Sequence, residues 1–593
     1  MGNQRDATIS SKRTAREAAL AHASTYDALK HDSFTSATAT EIVQRISASE
    51  WTASQVLEAY IARAVEAQRR TNCLTEVFFE DARRQAIQLD EEFAATKKVR
   101  GRLHGVPMTF KDQFEIAGYD TTIGFTRWAN QPCTDDAFLV SLCRAEGAII
   151  IAKTNVPQTM FAFECSNPLW GRTLNPWNDK YTCGGSTGGG KSSIARAKAA
   201  VLAMDGSALG VGSDVGGSIR IPASYCGIYS LKPSTGRVSA HGARGCRPGF
   251  EAIRVAYGPM ARSIEDCDLF SRITFGQLDP ARRVTPVPYR PVELPKKLKF
   301  GYYFCDSLAQ SSPATVRAIQ ETVNGLRKAG HECVEFSTLL PPSAMEVFVG
   351  LVTSDGYKKM LSHLQGDPQA KTFLYPVPIV RLTVHQEDSL FLSTLGAKVP
   401  GFVRSLMCWA AQTFFGDRMF PRFFSQARTK SVIEFCDLID RRNKVEEAWY
   451  QEVWDKHEFD GIIAPVQALP VIPHGACAYL SGMASATVLF NVIDSPVGIV
   501  PVTRVDASLD QLPSNFKPGE TGGSTIFEKF MYQDGSRTVY NPQEMAGMPV
   551  GVQIVGRKWD DEKVLAMMRV VDEVLGPRGF GPGCWKTGDN GGV

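Results

Sequence analysis

The sequence predicts an α/β chain, folded as a single large domain around a mixed, largely buried central sheet flanked by helices. Three observations predict it. Short apolar runs bounded by Gly, Pro or Asn read as buried strands. Stretches with helical spacing alternate with them. Strand-like runs then return near the C-terminus after a long helical section, which interleaves both halves of the chain in one core. No internal repeat is present.

In chain order, residues 1 to about 75 read as an N-terminal helical segment, with apolar residues at helical spacing in "TATEIVQRISASEWTASQVLEAYIARAVEAQRRTN". Thr52 is the expected N-cap of its second helix. Residues 76–593 form the main domain. In it "LHGVPMTFKD", "GAIIIAKTN" and "GIYSLKPS" read as strands and "DDAFLVSLCRAEG" as a helix. "PATVRAIQETVNGLRKAG", residues 313–330, has Pro at the start and Gly at the end of a helix, and "HECVEF" follows as a strand. Residues 343–457 read as a mainly helical insertion. "FDGIIAPV", "DSPVGIVPVTRV" and "MPVGVQIVG" bring the strands back, and the polar stretch 506–545 reads as a surface loop or lid.

The bulk numbers exclude several classes. A net charge of +3 over 593 residues gives no basic field for nucleic acid. No apolar run reaches the roughly 18 residues of a membrane span. The start, "MGNQRDATISSKRTAREAAL", has no apolar signal core, and Asp6 breaks the myristoylation pattern that Gly2 begins. The 14 cysteines form no C-x-x-C and lie at no zinc-finger spacing from a histidine. They read as reduced, mostly buried thiols of a cytoplasmic enzyme that needs no metal or other cofactor.

"GGSTGGGKSS", residues 184–193, carries three competing readings. Gly185–Ser192 fits the phosphate-binding G-x-x-x-x-G-K-S, but the preceding "LNPWNDKYTC" makes a poor buried strand. Gly184–Gly188 fits the G-x-S-x-G nucleophile elbow, which has the same strand requirement and needs a histidine base. His104 and His474 stand in loops and read as ordinary polar residues. The third reading makes Ser186 a proton relay between a distant lysine and a distant serine. It gains from "SALGVGSDVGGSIRIPASYCGIYSLKPSTGRVS", where Val215-Gly216-Gly217-Ser218 offers successive backbone N–H groups suited to an oxyanion. Pro222 is expected to end that segment, and Asp214 and Arg220 to tie it down by their charges.

Together "GGSTGG", "GSDVGGSIRIPA" and "GVPMTFKD" resemble the amidase signature family of serine amidohydrolases, from about residue 40 to 575. "KTNVPQTMFAFECSNPLWGRTLNPWN" resembles the branch holding fatty acid amide hydrolase and the acetamidases; "SPVGIVPVT" and "MPVGVQIVGRKWDDEKVL" resemble the family's C-terminal strands. The resemblance implies a twisted central sheet and a Ser–Ser–Lys relay. Ser218 is then the nucleophile, Ser186 the bridge behind a cis peptide bond, and Lys111 the base. Met160, Ser186, Val215, Gly216, Gly217 and Ser218 bind substrate. A serine attacking an amide must lose its proton, and a lysine amine can take it once burial lowers its pKa; the apolar "GVPMTF" before Lys111 supplies that burial.

The chain departs from the family in a wider spacing between Ser186 and Ser218, with extra residues near 190–197, and in Cys183 where relatives carry proline. The insertion is expected to shift the two serines apart if it acts at all. "VPGFVRSLMCWAAQTFFGDRMFPRFF", residues 399–424, interleaves seven aromatics with Arg404, Arg418 and Arg422. It reads either as a lid on its own core or as a peripheral membrane contact. The function expected is an amidase acting on a small-molecule carboxylic acid amide. The alternatives are a glutamine-hydrolysing amidotransferase subunit, or a scaffold impaired by the insertion. A homodimer is compatible with the resemblance.

Overall fold

The computed structural model describes residues 2–186, 198–364, 367, 398–535 and 538–585. The extra residues near 190–197 lie outside the described residues, as does much of the segment from 365 to 397 within the expected helical insertion.

Thirteen strands are present among the described residues: β1 Leu74–Val77, β2 Pro107–Lys111, β3 Ile149–Thr154, β4 Ser166–Asn167, β5 Gly171–Arg172, β6 Leu209–Asp214, β7 Tyr229–Lys232, β8 Ala256–Ala261, β9 Lys299–Tyr302, β10 Glu332–Glu335, β11 Gly461–Pro465, β12 Val497–Arg504 and β13 Pro549–Val555. Eleven of them form one mixed sheet in the order β1-β3-β2-β6-β8-β7-β12-β13-β11-β9-β10, and β4 and β5 pair apart. The runs β3-β2-β6 and β11-β9-β10 are parallel, while the middle of the sheet is antiparallel. Every residue of β2, β3, β6, β7, β8, β11 and β13 is buried. Helices cover the sheet, so these strands read as mostly apolar or small-residue runs without alternation, with buried charges at Lys111, Lys153, Asp214 and Lys232.

The N-terminal helices Ala39–Ser47 and Ala53–Thr71 begin at Thr38 and Thr52, each closing a capping box with Glu41 and Gln55 respectively. Their buried faces, including Ile42, Ile46, Val56, Leu57 and Tyr60, belong to the same apolar cluster as Ile150, Val211 and Ile554 of the sheet. The stretch 506–545, expected as a surface loop or lid, is not all loop. It contains the helix Thr525–Tyr532, which buries Phe527, Glu528, Met531 and Tyr532.

The helical section holds Leu340–Val352, Gly401–Phe415, Phe420–Gln426 and Val432–Trp449. Pro222 does not end its segment. It is the third residue of the helix Arg220–Cys226, in the first turn, where a missing N–H costs no helical hydrogen bond.

Candidate active site

Parallel pairing puts the key lysine beside the key loop. β2 and β6 run side by side, with Phe110 opposite Val211, so Lys111 and Ser213–Asp214 emerge together at the carboxyl ends of both strands. Lys111 is fully buried. Its Nζ donates to Ser186 Oγ at 2.9 Å and to Ser213 Oγ at 2.9 Å, and Ser186 Oγ donates to Ser218 Oγ at 3.0 Å. Ser213 in turn donates to Gln113 Oε1. Burial lowers the Lys111 amine to about 8, against a smaller upward pull from Cys165 and Asp214. The structure therefore brings Lys111, Ser186 and Ser218 into one hydrogen-bonded chain, despite the wider spacing of the two serines. Ser213 and Gln113 were not legible in the sequence; only the pairing of β6 with β2 singles them out.

Ser186 reaches this position through a loop with no room to spare. The Gly185–Ser186 peptide bond is cis. A Cβ on Gly185 would stand 2.7 Å from the carbonyl oxygen of Ala162 and 2.9 Å from the backbone of Phe163.

The turn that carries Ser218 is fixed by charge. Asp214 accepts from the N–H groups of Gly217 at 2.8 Å and Ile219 at 3.0 Å, from Arg220 Nε at 3.1 Å and Nη2 at 2.9 Å, and from Asn491 Nδ2 at 2.9 Å. Arg220 also donates to the Thr487 carbonyl, Gln553 Oε1 and Asn491 Oδ1. Burial would raise the Asp214 carboxyl, but the Arg220 guanidinium overrides it and holds the group well below the usual carboxylate range. The Gly216 carbonyl accepts from Thr487 Oγ1 at 2.7 Å. The Gly216–Gly217 peptide is thus held at both its oxygen and its N–H. Gly217 has φ +121°, and a Cβ there would meet Thr487 Oγ1 at 2.5 Å, so only glycine fits.

Ser218 opens onto a cavity of about 520 Å³. Of the residues expected to meet substrate, Met160, Val215, Gly216 and Ser218 line it. Ser186 and Gly217 are not on the wall: Ser186 lies behind Ser218, to which its Oγ donates, and the Gly217 N–H donates to Asp214. Phe161, Phe163, Phe348, Val488 and Met345 continue the wall. No charged side chain lines it among the described residues.

The aromatic segment divides between the cavity and the surface. Val403, Met407, Phe420, Phe423 and Phe424 line the cavity. Phe402, Trp409 and Phe414, exposed by 78%, 53% and 71%, face outward, with Leu406 and Phe415 beside them. Arg422 pairs with Glu346 at 3.3 Å. No helix among the described residues is long and apolar enough to cross a membrane.

Comparison with known proteins adds four findings. Residues 55–565 match the family model described as Amidase. The chain is 32% identical to fatty-acid amide hydrolase 1 of Sus scrofa over 549 residues, covering 91% of this chain and 85% of that protein. It is 30% identical to the acetamidase of Emericella nidulans over 559 residues, covering 91% and 90%. A solved structure titled fatty acid amide hydrolase superposes with a TM-score of 0.76 at 26% identity, covering 92% of this chain and 86% of the other.

Proposed function

The chain belongs to the amidase family and is a hydrolase acting on amide C–N bonds; from that premise we propose that it cleaves carboxylic acid amides with an extended apolar acyl group through Lys111, Ser186 and Ser218. The observation that carries this reading is the unbroken hydrogen-bond chain from a buried amine to a hydroxyl on the wall of an apolar cavity. In the relay, Ser218 Oγ attacks the amide carbon and passes its proton to Ser186, whose own proton moves to the neutral Lys111 amine. N–H groups of Val215, Gly216 and Ser218 receive the developing oxyanion. Lys111 then returns the proton through Ser186 to the departing nitrogen, which leaves as ammonia or an amine. Water hydrolyses the acyl-Ser218 ester to the acid. In this scheme residues 76–593 are the catalytic domain and residues 1–75 a helical segment packed on its core.

The acyl group is argued from the cavity. Its wall is mostly hydrocarbon, aromatic and thioether, with hydroxyls at Thr353, Tyr357, Tyr479 and Ser481, and the apolar part desolvates a chain of methylenes at about 0.8 kcal/mol each. Glutamine, with a charged α-carbon end, finds no counter-charge among the described residues of that wall, which argues against an amidotransferase role. The exposed Phe402, Trp409 and Phe414 support a peripheral contact with a lipid surface, through which apolar substrate enters. Liposome flotation tests that contact: protein left at the bottom of the gradient rejects it. A cytoplasmic location fits the largely buried thiols.

A fluorophosphonate probe together with an amide panel tests the whole reading. The probe is expected to label the wild type and not Ser218→Ala. Turnover is expected to favour long-chain acyl amides over acetamide. Labelling of Ser218→Ala at the wild-type rate, or wild type that neither labels nor hydrolyses any amide, overturns it. The second result is what an impaired scaffold would give.

A further inference from the structure

The far wall of the cavity is built by three helices: Gly401–Phe415, Phe420–Gln426 and Thr525–Tyr532. Met407, Phe420, Phe424, Ile526, Phe527 and Phe530 are among their contributions to the lining. The first two are neighbours in sequence, but the third follows about a hundred residues later, from another part of the chain. Apolar side chains meeting across such a junction fix no particular angle between the helices, because dispersion and burial are not directional.

One buried carboxylate sits at the junction of all three. Asp417 has no solvent exposure. Its backbone N–H donates to the Ala411 carbonyl at 3.1 Å, closing the end of Gly401–Phe415 after Gly416 turns left-handed at φ +64°. Its Oδ1 accepts from the N–H groups of Met419 at 2.9 Å and Phe420 at 2.8 Å, at the start of Phe420–Gln426, whose own N-cap position offers no side-chain oxygen. Its Oδ2 accepts from Ser524 Oγ at 2.6 Å and from the Ile526 N–H at 2.9 Å, at the start of Thr525–Tyr532. The two oxygens thus cap two different helices, and both helix N-termini carry the partial positive charge that a carboxylate meets best. Ser524 completes its own cap by accepting from the Phe527 N–H at 3.3 Å.

From this geometry we infer that Asp417 is a specificity-determining positioning residue: by capping two helices at once it sets the distance between Phe420–Phe424 and Ile526–Phe530, and hence the width of the acyl-binding cavity. It touches neither Ser218 nor the cavity itself. Its effect falls on the part of a substrate that extends to the far wall, and it spares the bond being cleaved. An amide with a two-carbon acyl group is expected to end before these helices, and a long acyl chain to lie between them. This inference rests on the proposed amidase reading for its kinetic test, but the binding arm below does not.

The test compares Asp417→Ala and Asp417→Asn with wild type on acetamide and on a long-chain acyl amide. For Asp417→Ala, KM for the long-chain amide is expected to rise roughly tenfold, the scale of one lost helix cap or two, with kcat for acetamide and fluorophosphonate labelling close to wild type. Asp417→Asn keeps one accepting oxygen, so it is expected to recover part of the long-chain KM. A parallel arm measures cis-parinaric acid binding by fluorescence in Ser218→Ala, with and without each Asp417 change. It expects the same weakening and needs no turnover. Equal losses on short and long amides in a folded variant, or unchanged long-chain KM and unchanged cis-parinaric acid affinity, overturn the inference. Should Asp417→Ala fail to fold, Asp417→Asn decides on the same criteria. Ser218→Ala protein that binds cis-parinaric acid and loses it when Asp417→Ala is added, with a wild type that hydrolyses no amide, sinks the amidase reading while leaving the role of Asp417 in the cavity standing.

Discussion

The near and far walls of the cavity are held in different ways. The near wall carries Ser218 and is over-determined. Asp214 alone takes five hydrogen bonds there, Arg220 reaches four residues, and the Gly216–Gly217 peptide is held at both ends. The far wall is apolar side chains on three helices whose meeting point is one carboxylate, Asp417. The difference follows from what each wall must do. An attacking oxygen misplaced by about 1 Å can lose around 100-fold in rate, so the chemistry needs directional bonds in excess. An acyl chain held by non-directional contacts tolerates small shifts, so a sparse set of anchors is enough.

The contrast breaks first at the relay. Lys111→Ala is expected to lower kcat/KM near neutral pH by about 10²–10⁴-fold, the usual share of a general base, with the fold intact by circular dichroism. Activity within a few-fold of wild type would show that the amine beside Ser186 does not move the proton. The next largest effect tests the over-determination itself. Arg220→Met leaves the buried Asp214 carboxylate hydrogen-bonded only by neutral donors, with Lys232 as the nearby cation that remains. Breaking such a pair costs about 3–5 kcal/mol, readable as a drop in the denaturation midpoint by urea. A loss under about 1 kcal/mol would place this pair with weak surface ion pairs and void the contrast.

The near wall was also the more legible in the sequence. Lys111, Ser186, Ser218, Asp214 and Arg220 all stand in motifs whose residue types are dictated by chemistry. The strands that carry them were less so. β6 reads "LGVGSD" and β8 "AYGPMA", where small residues and Pro259 argue against a central strand by propensity. They form one because neighbouring backbone comes too close for larger side chains: a Cβ on Gly258 would stand 2.2 Å from the Leu231 carbonyl oxygen. Gly217 suits an oxyanion nest by its type, whereas its N–H donates to Asp214, a choice that only the folded turn reveals. On the far wall, composition announced the aromatic segment 399–424, but the partner helix Thr525–Tyr532 lay hidden in a polar stretch, and no local pattern ties Asp417 to residues about a hundred positions away.

A smaller effect sharpens the account of the buried amine. Burial puts Lys111 at about 8, below its ordinary 10.5, because the charged form loses its hydration. The base works only when neutral. As pH falls below about 8 its neutral fraction drops tenfold per unit, so kcat/KM for acetamide is expected to climb with pH and level off above about 8. A profile flat from pH 6 to 9, or one falling as pH rises, would remove Lys111 from the rate-governing titration.

The smallest expected effect on the protein itself separates the two faces of the far wall. Phe402 and Trp409 point outward from the helix that sends Val403 and Met407 into the cavity. Exchanging both for serine removes apolar surface that is mostly in water for Phe402 and about half in water for Trp409, so stability is expected to move by no more than about 1 kcal/mol, and acetamide turnover to stay as in wild type. If this face meets lipid, the double variant should lose flotation with liposomes and slow on long-chain amide presented in vesicles, but not on the same amide dispersed in detergent. If the face instead only closes over the cavity, vesicle and detergent rates should fall together. The ratio of those two rates therefore tells a lid from a membrane contact without requiring either to be assumed.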